Sequence, residues 1–350
     1  MSDTGTRLSP ERLFRYQAAG CRLPESPSPF YAVLLDALAD DCAAGNTSVI
    51  GLMDQTPCTV EAAPALRLLG GVQRCVLDGA ASQLAAAWPA EGASGDTAVA
   101  HDALVALCAD PPPALRAALE CDPQTNEVGR AAALAPGLAE ITRRTGLPIR
   151  LLEIGASAAL LSRLDHFRYE ATNARWGDAA SKVRFDYDAA LPFDTAPVIV
   201  ERHACDLRPI DATTADGAQR LLSYCWPDQT VRRNRLRAAL EIAAALPVTI
   251  DAASADDWLD EHLRPLDGTV TVLMHSIMWQ YLPNPVQQRI EQLLRERGAA
   301  ATARAPLARL AFEPAPEVVH AEVSCTLWPR GERTVLAQSG YHGPPVTWIS

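Results

Sequence analysis

The stretch Leu151-Leu152-Glu153-Ile154-Gly155-Ala156-Ser157-Ala158-Ala159-Leu160-Leu161 decides how this chain is read. An apolar run ends in an acid, a glycine and small residues, and an apolar helical pattern follows. The pattern predicts a buried strand over Ile149–Ile154 that turns tightly into a helix over 158–167. Small side chains let a nucleotide-like ligand approach the backbone of such a turn, and a helix N-terminus offers free N–H groups. An ordinary strand-to-helix turn is the competing reading.

Downstream of this stretch the same period repeats. Further strand-like runs are Pro197–Asp206, Leu246–Ile250, Thr269–His275 and Leu307–Phe312. Helical patterns fill the intervals: Ala215–Ala245 with a break at Pro227, Asp256–Leu263 and Pro285–Gly298. Strand–helix alternation predicts a parallel sheet covered on both faces. The tail changes character: Ala321–Trp328 and Arg333–Gln338 flank a hairpin-like turn at Pro329-Arg330-Gly331-Glu332 and predict an antiparallel pair.

Upstream, residues 1–146 read as mostly helical. Leu13, Phe14 and Tyr16, and then Tyr31, Val33, Leu34, Leu35 and Leu38, recur at helical spacing. Ala65–Trp88 is a helix candidate interrupted near Gly70-Gly71. A Gly/Ser/Pro-rich loop spans Pro89–Asp96, and Pro111-Pro112-Pro113 ends one helix and starts the next. Glu127–Thr145 is helical again and stops at Gly146-Leu147-Pro148. The expected organisation is a helical N-terminal domain over 1–146, covering a substrate, and an α/β domain over 147–350.

Composition narrows the function classes. The chain has 350 residues, 48% of them hydrophobic and 21% charged, as expected of a soluble globular protein. A net charge of −11 argues against a broad nucleic-acid surface. No apolar run reaches the roughly 18–20 residues of a membrane span, and Met1-Ser2-Asp3-Thr4-Gly5 does not resemble a signal peptide. The nine dispersed cysteines fit reduced thiols in a cytoplasmic protein. They lack zinc-ligand spacing and the seven histidines form no H-x-x-x-H pair, so no metal is expected. The sequence is silent on oligomeric state.

In an open parallel sheet, ligands sit beyond the carboxyl ends of the strands, near the point where strand order reverses. Glu153, Gly155, Ala156 and Ser157 stand at the first such end, with Glu153 placed to orient the loop or meet a ligand ammonium. Asp206 and Leu207 close the second strand, where a carboxylate suits ribose hydroxyls; a loop or capping acid is the alternative. Ser254, Ala255 and Asp256 follow the third, facing an adenine edge or capping the next helix. The fourth ends in His275-Ser276, then Trp279-Gln280-Tyr281. His275 is the first candidate for proton transfer, its ordinary pKa lying near neutrality, and Tyr281 the second. A satisfied structural histidine is the other reading, and Trp279 and Tyr281 also suit a core. Upstream, Asn126, Glu127 and Arg130 form a polar helix start that could cover cofactor or substrate, or cap and pair locally. Trp226-Pro227-Asp228-Gln229, with Arg232 and Arg235, could project inward or kink a helix.

Taken together, these stretches resemble domain-of-unknown-function family 2332, bacterial proteins grouped with the class I S-adenosylmethionine (SAM) methyltransferase-like folds. The resemblance rests on Thr125-Asn126-Glu127-Val128-Gly129-Arg130, Leu152–Ala158, Cys205-Asp206-Leu207-Arg208-Pro209-Ile210-Asp211, Trp226–Gln229, His275-Ser276 with Trp279–Tyr281, Trp328-Pro329 with Gly331, and His342-Gly343. It implies a Rossmann-like α/β domain with a sheet of the class I methyltransferase type, SAM as cofactor and a small-molecule substrate. Two departures stand out: Ala159-Leu160-Leu161 replaces the family's Gly-Leu-Asn, and Ser254 stands where an acid is usual. A non-catalytic ligand- or partner-binding protein, and a SAM enzyme of alkyl-transfer or cyclising chemistry, are the alternatives. A nicotinamide enzyme is disfavoured because the turn lacks the second and third glycines of G-x-G-x-x-G that admit a pyrophosphate.

Overall fold

The computed structural model describes residues 6–24, 27–89, 95–191, 196–315 and 320–349. Met1–Gly5 and most of the Pro89–Asp96 loop lie outside them. The chain runs α1 (Pro10–Gly20), α2 (Pro29–Ala43), α3 (Thr47–Met53), α4 (Pro64–Leu77), α5 (Ser82–Ala87), α6 (Thr97–Ala109), α7 (Pro113–Glu120) and α8 (Ala131–Thr145). It continues through β1 (Ile149–Ile154), β2 (Arg168–Glu170), β3 (Arg175–Gly177), β4 (Arg184–Asp186), β5 (Ile199–Asp206), α9 (Ala215–Ser223) and α10 (Thr230–Ala245). The remainder is β6 (Ile250–Ala252), α11 (Ala255–His262), β7 (Val270–Ser276), α12 (Asn284–Ala299), β8 (Leu307–Pro314), β9 (Ala321–Trp328), β10 (Glu332–Gly340) and β11 (Gly343–Trp348).

Two compact units emerge, and neither is continuous in sequence. One comprises Met1–Thr125 with Ala215–Asn234, the other Asn126–Thr214 with Arg235–Ser350. The boundary expected at 146/147 therefore moves. Asn126–Thr145 belongs with the sheet because α8 is buried along nearly its whole length from Ala131 to Ile141, and Gly137 lies directly against Leu310 of β8.

In the helical unit, Ser9 and Ser28 accept N–H bonds as N-caps, each followed by proline at the first helical position. Asn46 and Asp96 cap α3 and α6 in the same way. The core gathers Phe14, Tyr31, Leu34, Leu35, Leu38, Leu68, Leu69, Val72 and Leu104. Gly70-Gly71 does not interrupt α4. A Cβ on Gly70 would stand 2.4 Å from the Tyr224 ring, and one on Gly71 2.7 Å from Leu115 and Ala118. These glycines admit neighbours, and the break falls later, before Ser82.

In the α/β unit eight strands form one sheet in the order β11-β10-β9-β8-β7-β1-β5-β6. β6, β5, β1, β7 and β8 run parallel, and the order reverses between β1 and β7. β9, β10 and β11 complete the sheet as antiparallel neighbours, three strands rather than the expected pair. β11 begins Gly343-Pro344-Pro345, and its prolines are tolerated because it lies on the sheet edge. The third parallel strand is Ile250–Ala252, displaced from the apolar run Leu246–Ile250. It too is an edge strand, pairing among the described residues only with Ala204–Asp206. Residues 168–186 form a separate three-stranded sheet, β3-β2-β4. Tyr169 stacks there between Trp176 and Phe185, at 4.0 and 5.4 Å.

Candidate ligand site at the strand-order reversal

The opening stretch does not continue into an α-helix. After β1 the backbone is left-handed at Gly155 (φ +61), Ser157 (φ +54) and Ala159 (φ +50), and a 3-10 helix follows over Leu161–His166. No α-helical N-terminus therefore offers its N–H groups, and the Ala156, Ser157, Ala159 and Leu160 amides of the turn are engaged. Ser157 N donates to Asp206 Oδ2 and Leu160 N to Asn126 Oδ1, both at 2.8 Å. Ala156 N donates to the carbonyl of Cys205. The neighbouring strand β7 ends similarly, with Ile277 at φ +47. A branched side chain in that region is a genuine outlier. Of the four described non-glycine residues with positive φ, three (Ser157, Ala159 and Ile277) thus stand at the β1/β7 reversal.

Register sorts the expected site residues onto two faces. Glu153 of β1 pairs with Met274 of β7 and Ala204 of β5, so Glu153, Met274, Ala204 and Asp206 share one face. His275, one residue beyond Met274, points to the other. Glu153 and His275 therefore do not converge.

Glu153 is fully buried and accepts a short hydrogen bond from Ser162 Oγ. Burial pushes its carboxyl up to about 7, against the opposing Ser162 bond and Arg163 charge. Arg163 is 2% exposed. Its Nη1 donates to the carbonyls of Ala159 at 2.7 Å and Ala158 at 3.3 Å, and its Nε to that of Leu246 at 2.7 Å. Ser157 is 5% exposed, and its Oγ is buried with no hydrogen-bond partner among the described residues.

On the opposite face His275 is sealed. Its Nδ1 lies 2.6 Å from Glu313 Oε1, and Arg309 Nε donates to its Nε2 at 3.0 Å. Nε2 must therefore be the acceptor and Nδ1 the protonated nitrogen. Burial lowers the pKa, Glu313 opposes this, and Arg309 adds to it. A neutral histidine with both nitrogens bonded cannot serve as the general base. Trp279 completes the packing, with the His275 ring stacked 5.3 Å away and the Arg309 guanidinium 4.2 Å over its own ring.

Of the remaining residues, Asn126, Glu127 and Arg130 cap and pair locally, the second of their two readings. Tyr281 is 74% exposed and Leu207 69%; Gln280 is exposed as well. Ser254 bonds Asp256 rather than capping α11, and Ala255 is buried. Asn126 holds the turn as described. Glu127 caps its own 3-10 turn through Gly129 N, and Arg130 binds the Ser276 and Tyr341 carbonyls. Gly129 and Gly343 meet backbone to backbone, since a Cβ on either would lie 2.2 Å from an oxygen near the other. The paired motifs around 125–130 and 342–343 are thereby explained as a latch. Arg163, Ser162, Glu313, Arg309 and Met278 escaped the sequence reading. The alternating period of the β8 strand is the one available signal, and it puts Arg309 and Glu313 together on the face of His275.

Among the described residues no helix is long and apolar enough to cross a membrane. One protein-family model, for uncharacterized proteins conserved in bacteria (DUF2332), matches residues 11–348. No curated protein and no solved structure matches the chain.

Proposed function

The chain belongs to that bacterial family, and we propose that it is a SAM-dependent transferase acting on a small molecule at the β1/β7 reversal. The observation that carries the reading is the cluster of left-handed residues there. Non-glycine residues in this region cost about 1–2 kcal/mol each, and such strain concentrates at ligand sites. A strand-order reversal is also where open α/β sheets bind ligands.

The face bearing Glu153 and Asp206 suits an adenosyl ligand better than the other face. Asp206 closes β5 half-buried, where a carboxylate matches ribose hydroxyls, and the Ser254/Asp256 pair follows β6. The partnerless Ser157 hydroxyl costs about 1–3 kcal/mol if left unsatisfied, so a ligand group there would be favoured. Gly155 does not itself face a ligand, because Met278 occupies the space its Cβ would take.

SAM, when bound, supplies an electrophilic methyl carbon on a sulfonium. The protein's contribution is then positioning, since His275 is sealed by Glu313 and Arg309. That sealing also favours a second reading, ligand binding without transfer.

Calorimetric titration of SAM and S-adenosylhomocysteine tests both readings. Micromolar binding, abolished in Asp206→Ala, is expected. Absence of heat with either ligand would sink the proposal. Binding without label passing from methyl-labelled SAM to any small molecule of a cell extract would favour the second reading.

A further inference from the structure

We infer that Arg163 is a positioning residue that holds the ligand turn in its left-handed form, an inference that rests on the adenosyl-site reading only for its effect on affinity. A guanidinium that is 2% exposed demands compensation. Its three hydrogen bonds among the described residues all go to backbone carbonyls, and two of those belong to the turn itself. The third, on Leu246, ties the same side chain to the segment leading into β6. One cation thus grips the chain on both sides of the adenosyl-facing strand ends.

The grip falls where the backbone most needs it. Ala159, whose carbonyl takes the shorter turn bond at 2.7 Å, is itself left-handed at φ +50. An alanine does not hold that conformation by its own preference. From the N–H side, Asp206 fixes Ser157 and Asn126 fixes Leu160. Arg163 supplies the complementary hold on the C=O side, which no side chain expected from the sequence provides. Burial lowers the Arg163 pKa, and the Glu153 carboxylate, where ionised, opposes this.

Hydrogen exchange and ligand titration on the full chain test this. Arg163→Gln should raise exchange at the Ser157 and Leu160 amides at least tenfold, beyond any rise in the β7 and β8 amides. It should weaken S-adenosylhomocysteine binding by a similar factor. Adding Ala159→Gly, which makes the left-handed conformation intrinsically accessible, should recover a substantial part of both losses. Arg163→Lys, milder should the glutamine variant fold poorly, should give a smaller local rise of the same sign. Exchange that rises uniformly across the sheet, or that Ala159→Gly leaves uncorrected, would overturn the inference. If the unaltered protein gives no heat with the ligand, the adenosyl reading fails, while the exchange results still judge Arg163.

Discussion

Glu153 shows how a residue's place and its role separate. Its position at the strand end is legible from an acid closing an apolar run. Its burial, its Ser162 partner and its neighbour Arg163 are not, because they come from a 3-10 helix that the apolar pattern disguises as an α-helix. The consequence is a pH dependence. The folded protein holds the Glu153 proton up to about pH 7, well above the ordinary 4.5 of the unfolded chain. Between those values the folded state binds more protons, so stability falls as pH rises, by at most about 1.4 kcal/mol per pH unit. Glu153→Gln keeps an acceptor for Ser162 and removes the titration. Thermal midpoints from pH 5 to 8 should fall less steeply for the variant, which should gain on the native protein most at pH 8. Parallel profiles would show that Glu153 does not titrate in this range.

Among the elements, the parallel strands were the legible part. β1 falls on Ile149–Ile154 as expected, and β7 on Val270–Ser276, one residue from the expected Thr269–His275. β1 and β7 are buried on both faces and read as near-continuous apolar runs. The edge strands β6 and β11 lack that signature and are displaced or missed, as are the short strands β2, β3 and β4. The turn after β1 failed for another reason: nothing in Gly-Ala-Ser-Ala-Ala announces three left-handed residues, only one of which is glycine. Gly155 has two reasons to be glycine, its φ of +61 and the Met278 side chain 2.9 Å from where a Cβ would stand. Gly155→Ala should destabilise the protein by about 1–3 kcal/mol. Combining it with Met278→Ala separates the two causes in chemical denaturation. The double-mutant cycle should show favourable coupling, since truncating Met278 relieves the clash but not the φ penalty. Strict additivity would mean that Met278 does not crowd this position.

At the scale of the molecule, the departure from a two-halves organisation comes from Ala215–Asn234. The strand–helix alternation that made the C-terminal region legible also hides this excursion, because its helices sit where crossover helices are expected. The Trp226-Pro227-Asp228-Gln229 motif shows why the segment joins the helical unit. Trp226 packs against the helical core, with its ring 6.0 Å from that of Tyr31. Asp228 accepts from Ser28 Oγ at 2.6 Å and from Phe30 N at 3.0 Å, thereby bracing the N-cap of α2. Gln73 of α4 donates to the carbonyls of Leu222 and Cys225, and its Oε1 accepts from Tyr31 Oη. The motif is thus accounted for by helix anchoring. Asp228→Ala removes two bonds to a carboxylate and leaves the buried Ser28 hydroxyl and Phe30 N–H short of an acceptor, at a cost of about 1–3 kcal/mol. Hydrogen exchange should accelerate first at the start of α2 and in α4 and α9, with the β1 and β7 amides the least affected. Were the excursion anchored instead to the sheet, the β1 and β7 amides would lose protection first and α2 would be spared.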